Sequence, residues 1–492
     1  MEMQFRSLGL VGAWLAALVL AGCSVAPAYE APQADVPMAF KEAADGKWKT
    51  AAPAEAAHRG KWWTVFGDPV LDELEERAGQ ANQNLKAAVA RLAQARARLR
   101  DAEAGRYPGV TAGAGPTRQR PSPASQGLPA DASTDASTLW RAQATVSYEV
   151  DLFGRVAASV QAATAQAEQS EALLRSVQLS LQADVAQAYF LVRELDAGQA
   201  LYAGTVELRE RTLALIQRRY DEGDISELDL ARARTELASA RSEALDIARQ
   251  RAAAEHALAI LLGQAPAGFT LPARPLTRVA VSVPPGLPSA LLERRPDIAA
   301  AERAMAAANA RVGVARTAFF PRLELTGALG YESAQLGDLF NWSSRTFLFG
   351  PLVGTMLSLP IFDGGRREAG LQAARAAYEE EVAVYRQTVL NAFKEVEDNL
   401  SNLRILADQY RAQDEAVASA ARAARLSQIQ YREGSVSYLD VIDADRSVLQ
   451  QRRAATRLDG ELARSTVNLI RALGGGWDGP APTAVLRTDQ PS

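Results

Sequence analysis

Three observations predict an α+β chain made of two similar halves, each with a pair of amphipathic strands and a very long helix. The stretch from Trp140 to Val150 alternates. Trp140, Ala142, Ala144, Val146, Tyr148 and Val150 share one face, and Arg141, Gln143, Thr145, Ser147 and Glu149 the other. A period of two is a strand with one apolar and one polar side. Past Gly154 the period changes: Leu181, Val185, Ala188, Val192 and Leu195 step by four and three, the seam of a coiled-coil-like helix. No proline interrupts residues 154–221, and at ~1.5 Å per residue that helix is on the order of 100 Å long.

The third observation is a repeat. Arg155, Tyr220, Gly223 and Leu262-Gly263 recur 211 positions later as Arg366, Tyr431, Gly434 and Leu473-Gly474. Leu85 with Tyr107-Pro108 matches Ile298 with Phe320-Pro321 at an offset of 213, so a turn between residues 108 and 155 absorbs the difference. A register held over most of both halves argues for duplication of a whole unit: helix, strand, strand, long helix, tight turn, helix.

Taken in order, Arg6 precedes an apolar run from Leu8 to Leu20, and Leu20-Ala21-Gly22-Cys23 follows. That pattern predicts a secretory signal peptide over 1–22. Cys23 is the only cysteine, which excludes a disulfide framework within one chain. Residues 23–60, with Pro27, Pro32, Pro37 and Pro53, read as an extended tether. The first repeat spans 61–264. Asp68 is its first N-cap and Pro69 the first helical residue of a helix running to Gly105. A hairpin over 109–152 follows, with a first strand over about 109–115 and an exposed proline-rich loop over 116–138. Helices over 154–221 and 225–263 reverse at Gly223, with Asp224 or Ser226 capping the second. A linker over 265–286 leads to the second repeat, 287–474, in which Pro296 marks a kink or a helix start. Its hairpin covers 319–361. Leu323, Leu325, Gly327, Leu329 and Tyr331 lie on one strand face, and Arg322, Glu324, Thr326 and Ala328 on the other. The fourth strand, about 346–360, is weakened by Pro351 and Pro360. Helices over 365–432 and 436–473 and a flexible tail over 475–492 complete the chain.

Composition excludes several function classes. The 492 residues are 48% hydrophobic with a net charge of −4, which offers no basic field for nucleic acid. Two histidines far apart and one cysteine leave a His/Cys metal cluster or Cys–His catalysis without parts. No nucleotide-binding glycine motif occurs in a strand–helix setting. Beyond the leader no apolar run reaches the ~18 residues of a membrane helix, so any membrane crossing must use strands. Four strands cannot close a channel-wide barrel, and open edges are not viable in lipid. Three copies would supply twelve strands and gather their long helices into a cylinder, so a trimer is the simplest closure.

Asp440 and Asp443 are three apart, on one helix face just after the second turn. Turned inward in a trimer, that face would ring an axis with carboxylates and control passage; a solvated helix start, where Asp is favoured by the macrodipole, accounts for the same residues. The turns at Gly223 and Gly434 are either docking points for a partner or simple reversals.

Several motifs resemble one family. They are Trp62-Trp63 with Phe66 and Asp68-Pro69, Arg294-Arg295-Pro296-Asp297-Ile298, Ala301-Glu302-Arg303, Ala307-Ala308-Asn309-Ala310-Arg311, Gly313-Val314-Ala315-Arg316 and Phe319-Phe320-Pro321. Ile361-Phe362-Asp363-Gly364-Gly365-Arg366 and Leu473-Gly474-Gly475-Gly476-Trp477 complete the set. Together they resemble the outer membrane factors of TolC type, in the NodT-like efflux lipoprotein branch, over nearly all of the mature chain. The resemblance implies a homotrimer with a twelve-stranded transmembrane β-barrel, continued by an antiparallel α-helical coiled-coil tunnel in the periplasm. It implies a passive duct for drugs or toxic compounds, with no enzymatic activity and no cofactor. A periplasmic adaptor and an inner-membrane RND-type pump are the implied partners. It also implies a periplasmic gate at Asp440 and Asp443, with Leu439 and Tyr431 nearby, while Val436 stands where some members carry an arginine of the closed-state lock. Leu20-Ala21-Gly22-Cys23 is similar to the bacterial lipobox, which implies N-acyl and S-diacylglycerol groups, palmitate among them, on Cys23. Ser24, by the same likeness, directs the anchor to the outer membrane. Protein secretion, metal-ion export and a pore-less periplasmic scaffold are the alternative functions.

Overall fold

The computed structural model describes residues 27–30, 40–41, 61–278, 281, 291–292, 294–349 and 357–475. The expected signal peptide, Cys23, the C-terminal tail beyond Gly475 and most of the tether lie outside them. The described residues fall into two compact units, one drawn from 1–33, 92–170 and 301–385, the other from 34–91, 171–300 and 386–492.

The first unit holds every described strand. These are β1 (Gly109–Gln119), β2 (Ser137–Val150), β3 (Arg322–Ser333), β4 (Arg345–Phe349) and the short β5 (Leu357–Ser358). They form one antiparallel sheet in the order β1-β2-β3-β4, with β5 on β3. The two repeats meet through β2 and β3, paired from Trp140↔Ser333 to Val150↔Leu323. This register matches the alternation of both strands. Ala142 lies opposite Tyr331, Ala144 opposite Leu329 and Tyr148 opposite Leu325 on the apolar side. On the polar side Arg141 pairs with Glu332 at 2.7 Å, and the Thr111 and Thr145 hydroxyls are 2.6 Å apart. Gly330 permits the closeness of the pair, since a Cβ there would overlap the Ala142 carbonyl.

Two strands differ from the sequence reading. β1 runs on to Gln119, through Pro116, which sits opposite Trp140. A proline lacks only an N–H, and β1 is an edge strand, so one side of its backbone has no ladder to break. The fourth strand appears as β4 and β5, and residues 350–356 between them lie outside the description. Residues 27–30 are docked rather than a free tether. Tyr29 Oη donates to Glu302 at 2.6 Å and Asn309 Nδ2 to the Pro27 carbonyl at 3.2 Å.

The helices are α1 (Pro69–Ala81), α2 (Gln83–Ala104), α3 (Arg155–Asp221), α4 (Glu227–Leu261), α5 (Pro296–Thr317), α6 (Arg366–Arg432) and α7 (Tyr438–Ala472). The pairs α3/α6 and α4/α7 are equal in length, 67 and 35 residues, at the offset of the repeat. Among the described residues no helix is long and apolar enough to cross a membrane. The single helix expected from Pro69 to Gly105 is broken at Asn82. Its side chain accepts from Leu85 N–H at 3.0 Å and donates to the Leu261 carbonyl at 2.8 Å. One residue thus caps α2 and satisfies an orphan acceptor at the end of α4.

The core of the second unit gathers Trp62, Trp63, Leu71, the seam residues Leu181, Val185, Val192 and Leu195, and Val467 and Ile470 of α7. The Arg-Arg-Pro-Asp-Ile motif is a clamp in the same unit. Buried Arg295 bonds Asp297 and Glu395, each at 2.7 Å, and donates to the Ala472 carbonyl at 3.0 Å. It ties α6 and the end of α7 to the start of α5. A second buried cluster fixes the crossover: Asp196 receives Arg193 at 3.0 Å and Arg251 at 2.6 Å, and both arginines also donate to carbonyls of residues 271–272.

Glu75 on α1 departs from this pattern. It is 3% exposed, and neither carboxyl oxygen has a hydrogen-bond partner among the described residues. Burial, with Asp72 beside it, pushes the group up to about 9. In an unfolded chain a Glu ionises near ~4.3, so across that interval the folded state holds an extra proton. Stability therefore falls as pH rises, by up to ~1.4 kcal/mol per pH unit. Glu75→Gln should flatten this slope in thermal melts from about pH 5 to about pH 9; a variant that kept the parental slope would place the proton elsewhere.

Candidate functional site: the paired helical turns

Each repeat ends its long helix in the same way. Gly223 and Gly434 adopt φ of +83° and +74°, a left-handed conformation that costs a glycine little. Asp224 N–H then bonds the Arg219 carbonyl at 2.9 Å, and Ser435 N–H the Gln430 carbonyl at 2.8 Å. These six-to-one bonds are Schellman closures, which satisfy carbonyls left over at a helix end. Ser226 and Ser437 cap the returning helices, accepting from Asp229 N–H and Asp440 N–H.

Beneath the turns lies a small core drawn from both hairpins. Ile216, Leu230 and Ala233 pack with Tyr438, Val441 and Ile442, and Tyr431 lies against them. Tyr431 and Tyr438 have ring centroids 5.7 Å apart. Arg219 donates to Tyr431 Oη at 3.1 Å, coupling the α3 end to the α6 end. Burial raises Tyr431 and pushes Tyr438 up to about 12, so both hydroxyls stay protonated.

The two aspartates singled out by sequence have different surroundings. Asp440 completes a capping box: its carboxylate accepts from Ser437 N–H at 2.8 Å and Ser437 Oγ at 2.6 Å. Those two bonds hold its carboxyl below the usual range. Its counterpart one repeat earlier is Asp229, which receives the Ser226 hydroxyl at 3.2 Å. Asp443 has no such duty. Its side chain is 63% exposed, with Arg446 at 3.5 Å as its ion-pair partner. Leu439, 39% exposed, stands on the same first turn. The geometry thus gives Asp440 a structural role and leaves Asp443 the freer charge.

Sequence reasoning missed the charged cluster below these turns. Arg209 of α3, 4% exposed, meets Asp445 of α7 at 3.2 Å and Glu236 of α4 at 3.5 Å. Arg446 Nε donates to Glu236 at 3.0 Å, and Gln428 of α6 to Asp445 at 3.1 Å. All four helices of the two hairpins are joined. Burial raises Asp445, and Arg209 partly offsets it. No spacing announces this cluster, because each member is one charge among many on its own helix. Removing one partner of a buried pair strands the other charge, typically at ~3–5 kcal/mol. Arg209→Met should therefore lower the melting temperature of the helical hairpins and raise amide exchange near residues 216–233 and 438–445. An unchanged melt and exchange pattern would show that the cluster is dispensable.

Comparison with known proteins fits this geometry. The profile described as Outer membrane efflux protein matches residues 74–264 and 287–475, one segment in each repeat. The chain is 38% identical over 473 residues to Outer membrane protein OprJ of Pseudomonas aeruginosa, covering 95% of this chain and 96% of that one. It is 34% identical over 467 residues to Cation efflux system protein CusC of Escherichia coli O6:H1, covering 94% and 97%. Among solved structures, the outer-membrane channel OprN has a TM-score of 0.82 at 31% identity, over 92% of this chain and 100% of its own. This chain belongs to the outer membrane efflux protein family and is the outer-membrane component of an efflux system.

Proposed function

We propose that three copies of this chain close a passive duct for drugs or other toxic compounds, gated at the helical turns. The observation that carries the reading is a sheet with one apolar side and one polar side that, among the described residues, leaves two edges unpaired, β1 on one side and β4 with β5 on the other. In hydrocarbon each unpaired backbone group costs several kcal/mol, and pairing β1 of one copy with β4 of the next removes both edges. Twelve strands form the barrel, and the long helices of three copies form the periplasmic tunnel. Cys23 carries the lipid that holds the mature terminus at the outer membrane. The duct performs no catalysis. Energy comes from an inner-membrane RND-type pump, reached through a periplasmic adaptor.

The gate is the first turn of α7. Asp443 and Leu439 face the bore, Asp440 holds the turn in shape, and Tyr431 braces it through Arg219. Metal-ion export is the second reading, favoured by the likeness to CusC. A deletion strain sensitised to metal salts and indifferent to drugs would select it.

Single-channel recording in a planar bilayer tests duct and gate together. The parent should pass a small cation-preferring current, and Asp440→Ala/Asp443→Ala a larger one. Ser437→Ala removes the capping hydroxyl but neither carboxylate, so a comparable rise there would assign the effect to helix fraying. A protein that is inserted yet silent in every form would support the pore-less scaffold.

The turns at Gly223 and Gly434 dock the adaptor. Cysteine at either glycine would strain a left-handed backbone, so the probes belong on the exposed neighbours Glu222 and Glu433. Glu222→Cys and Glu433→Cys should crosslink to a periplasmic adaptor in cells; no crosslink at either position would reduce the turns to simple reversals.

A further inference from the structure

Where the strands hand over to the long helices, the first unit forms an open cavity of about 700 Å³. That size lies within the ~300–1,000 Å³ of small-molecule sites. Phe153 and Phe320 line it as a stacked pair, ring centroids 4.9 Å apart. Its polar wall combines Arg155, Arg322, Arg366 and Arg367 with three carboxylates.

The carboxylates are all committed. Glu149 accepts both Arg155 nitrogens, at 2.6 and 2.7 Å. Asp151 accepts from the N–H groups of Val156 and Ala157 at 3.0 and 2.7 Å, capping α3. Asp363 accepts from Gly365 and Arg367 N–H, each at 3.1 Å, and from Arg367 Nε at 2.7 Å. Arg155 and Arg367 are thereby neutralised. Arg322 reaches Glu149 only at 4.0 Å and its side chain is 56% exposed. Arg366 is exposed and has no side-chain partner among the described residues.

The repeat explains the surplus. Six residues before Arg155 stands Glu149, its partner; six residues before the matching Arg366 stands Pro360, which has no charge to offer. Immediately beside it, Ile361 and Phe362 are 92% and 90% exposed. One cation without a partner among the described residues, a second held only at 4.0 Å, a cavity with an aromatic wall and two projecting apolar side chains suit a molecule with an anionic head and hydrocarbon tails. Guanidinium groups match phosphate geometry through paired N–H donors.

We propose that this cavity binds the phosphate headgroup of a phospholipid at the periplasmic face of the outer membrane. Arg366 and Arg322 hold the phosphate, and Ile361 and Phe362 lie against the acyl chains. The inference rests on the strands spanning the membrane, as in the proposed function. One lipid per protomer would seat the sheet at a defined depth.

Native mass spectrometry of the full-length trimer, delipidated and then titrated with phosphatidylglycerol, tests it. The parent should hold one lipid per protomer. Arg366→Gln/Arg322→Gln should bind about tenfold more weakly, as expected for lost charge-assisted bonds. Arg366→Lys/Arg322→Lys, which keeps the charge but loses the paired donors, should fall between. Arg249→Gln, on an exposed helix face of the other unit, should match the parent. Equal retention in all variants would overturn the assignment. Displacement of the lipid by inorganic phosphate alone would reassign the cavity to a free anion. A trimer that conducts in a bilayer but takes up no lipid would show the cavity closed by the neighbouring copy, and would sink this inference while leaving the duct intact. A protein that never conducts would instead remove the membrane reading beneath it.

Discussion

Backbone hydrogen bonding at the sheet edges constrains everything else. Among the described residues, β1 and β4 each leave a row of N–H and C=O groups without partners in a single chain. Water can satisfy such groups; hydrocarbon cannot. A sheet with an apolar side therefore has to be completed by other copies before it can sit in a membrane. The long helices follow from the same arrangement, because each hairpin delivers its chain directly into α3 or α6. Matching turns and caps at the helix ends repeat the logic locally: orphan carbonyls are closed by N–H groups of Gly223, Asp224, Gly434 and Ser435, and the returning helices are capped by Ser226 and Ser437.

Helices of this length need more than an apolar seam. The seam around Leu181 to Leu195 supplies burial, but its neighbours include Arg193 and Asp196, both buried. Such groups are tolerated only when paired: Arg193 and Asp196 are held with Arg251 and the 271–272 carbonyls, and buried Arg209, further along the same helix, by Asp445 and Glu236. Paired charges specify register where Ala-rich surfaces alone would slide. The cluster around Arg209 does this close to the turns, where it joins four helices.

The second repeat is not a copy of the first in its chemistry. Asp229 and Asp440 both receive the hydroxyl of the capping serine at the same offset, and Asp440 also accepts the serine N–H, so it is less free than its exposure implies. Asp443 is matched by Arg232, a reversal of charge at one helical position. Arg155 has Glu149, whereas Arg366 has none. Duplication supplied the scaffold, and departures from it mark the places where one hairpin does what the other does not.

Periodicity and chain symmetry were legible without coordinates. The alternation at 140–150 and 322–331 implied strands with two unlike faces, and the proline-free span after Gly154 implied a long helix, because both depend on residues close in sequence. Signals of the same local kind located the cap at Asp68 and the reversals at Gly223 and Gly434, and left Asp224 or Ser226 for the next cap, which the structure gives to Ser226. The break at Asn82 escaped, since its cause is partly the Leu261 carbonyl, far along the chain. The extension of β1 through Pro116 escaped as well, because only the sheet order reveals that β1 is an edge. Tertiary structure alone brought Arg209 to Glu236 and Asp445, and Arg295 to Glu395 and Ala472. A charge on a helix reads the same in sequence whether it meets water or a partner, and only packing decides which.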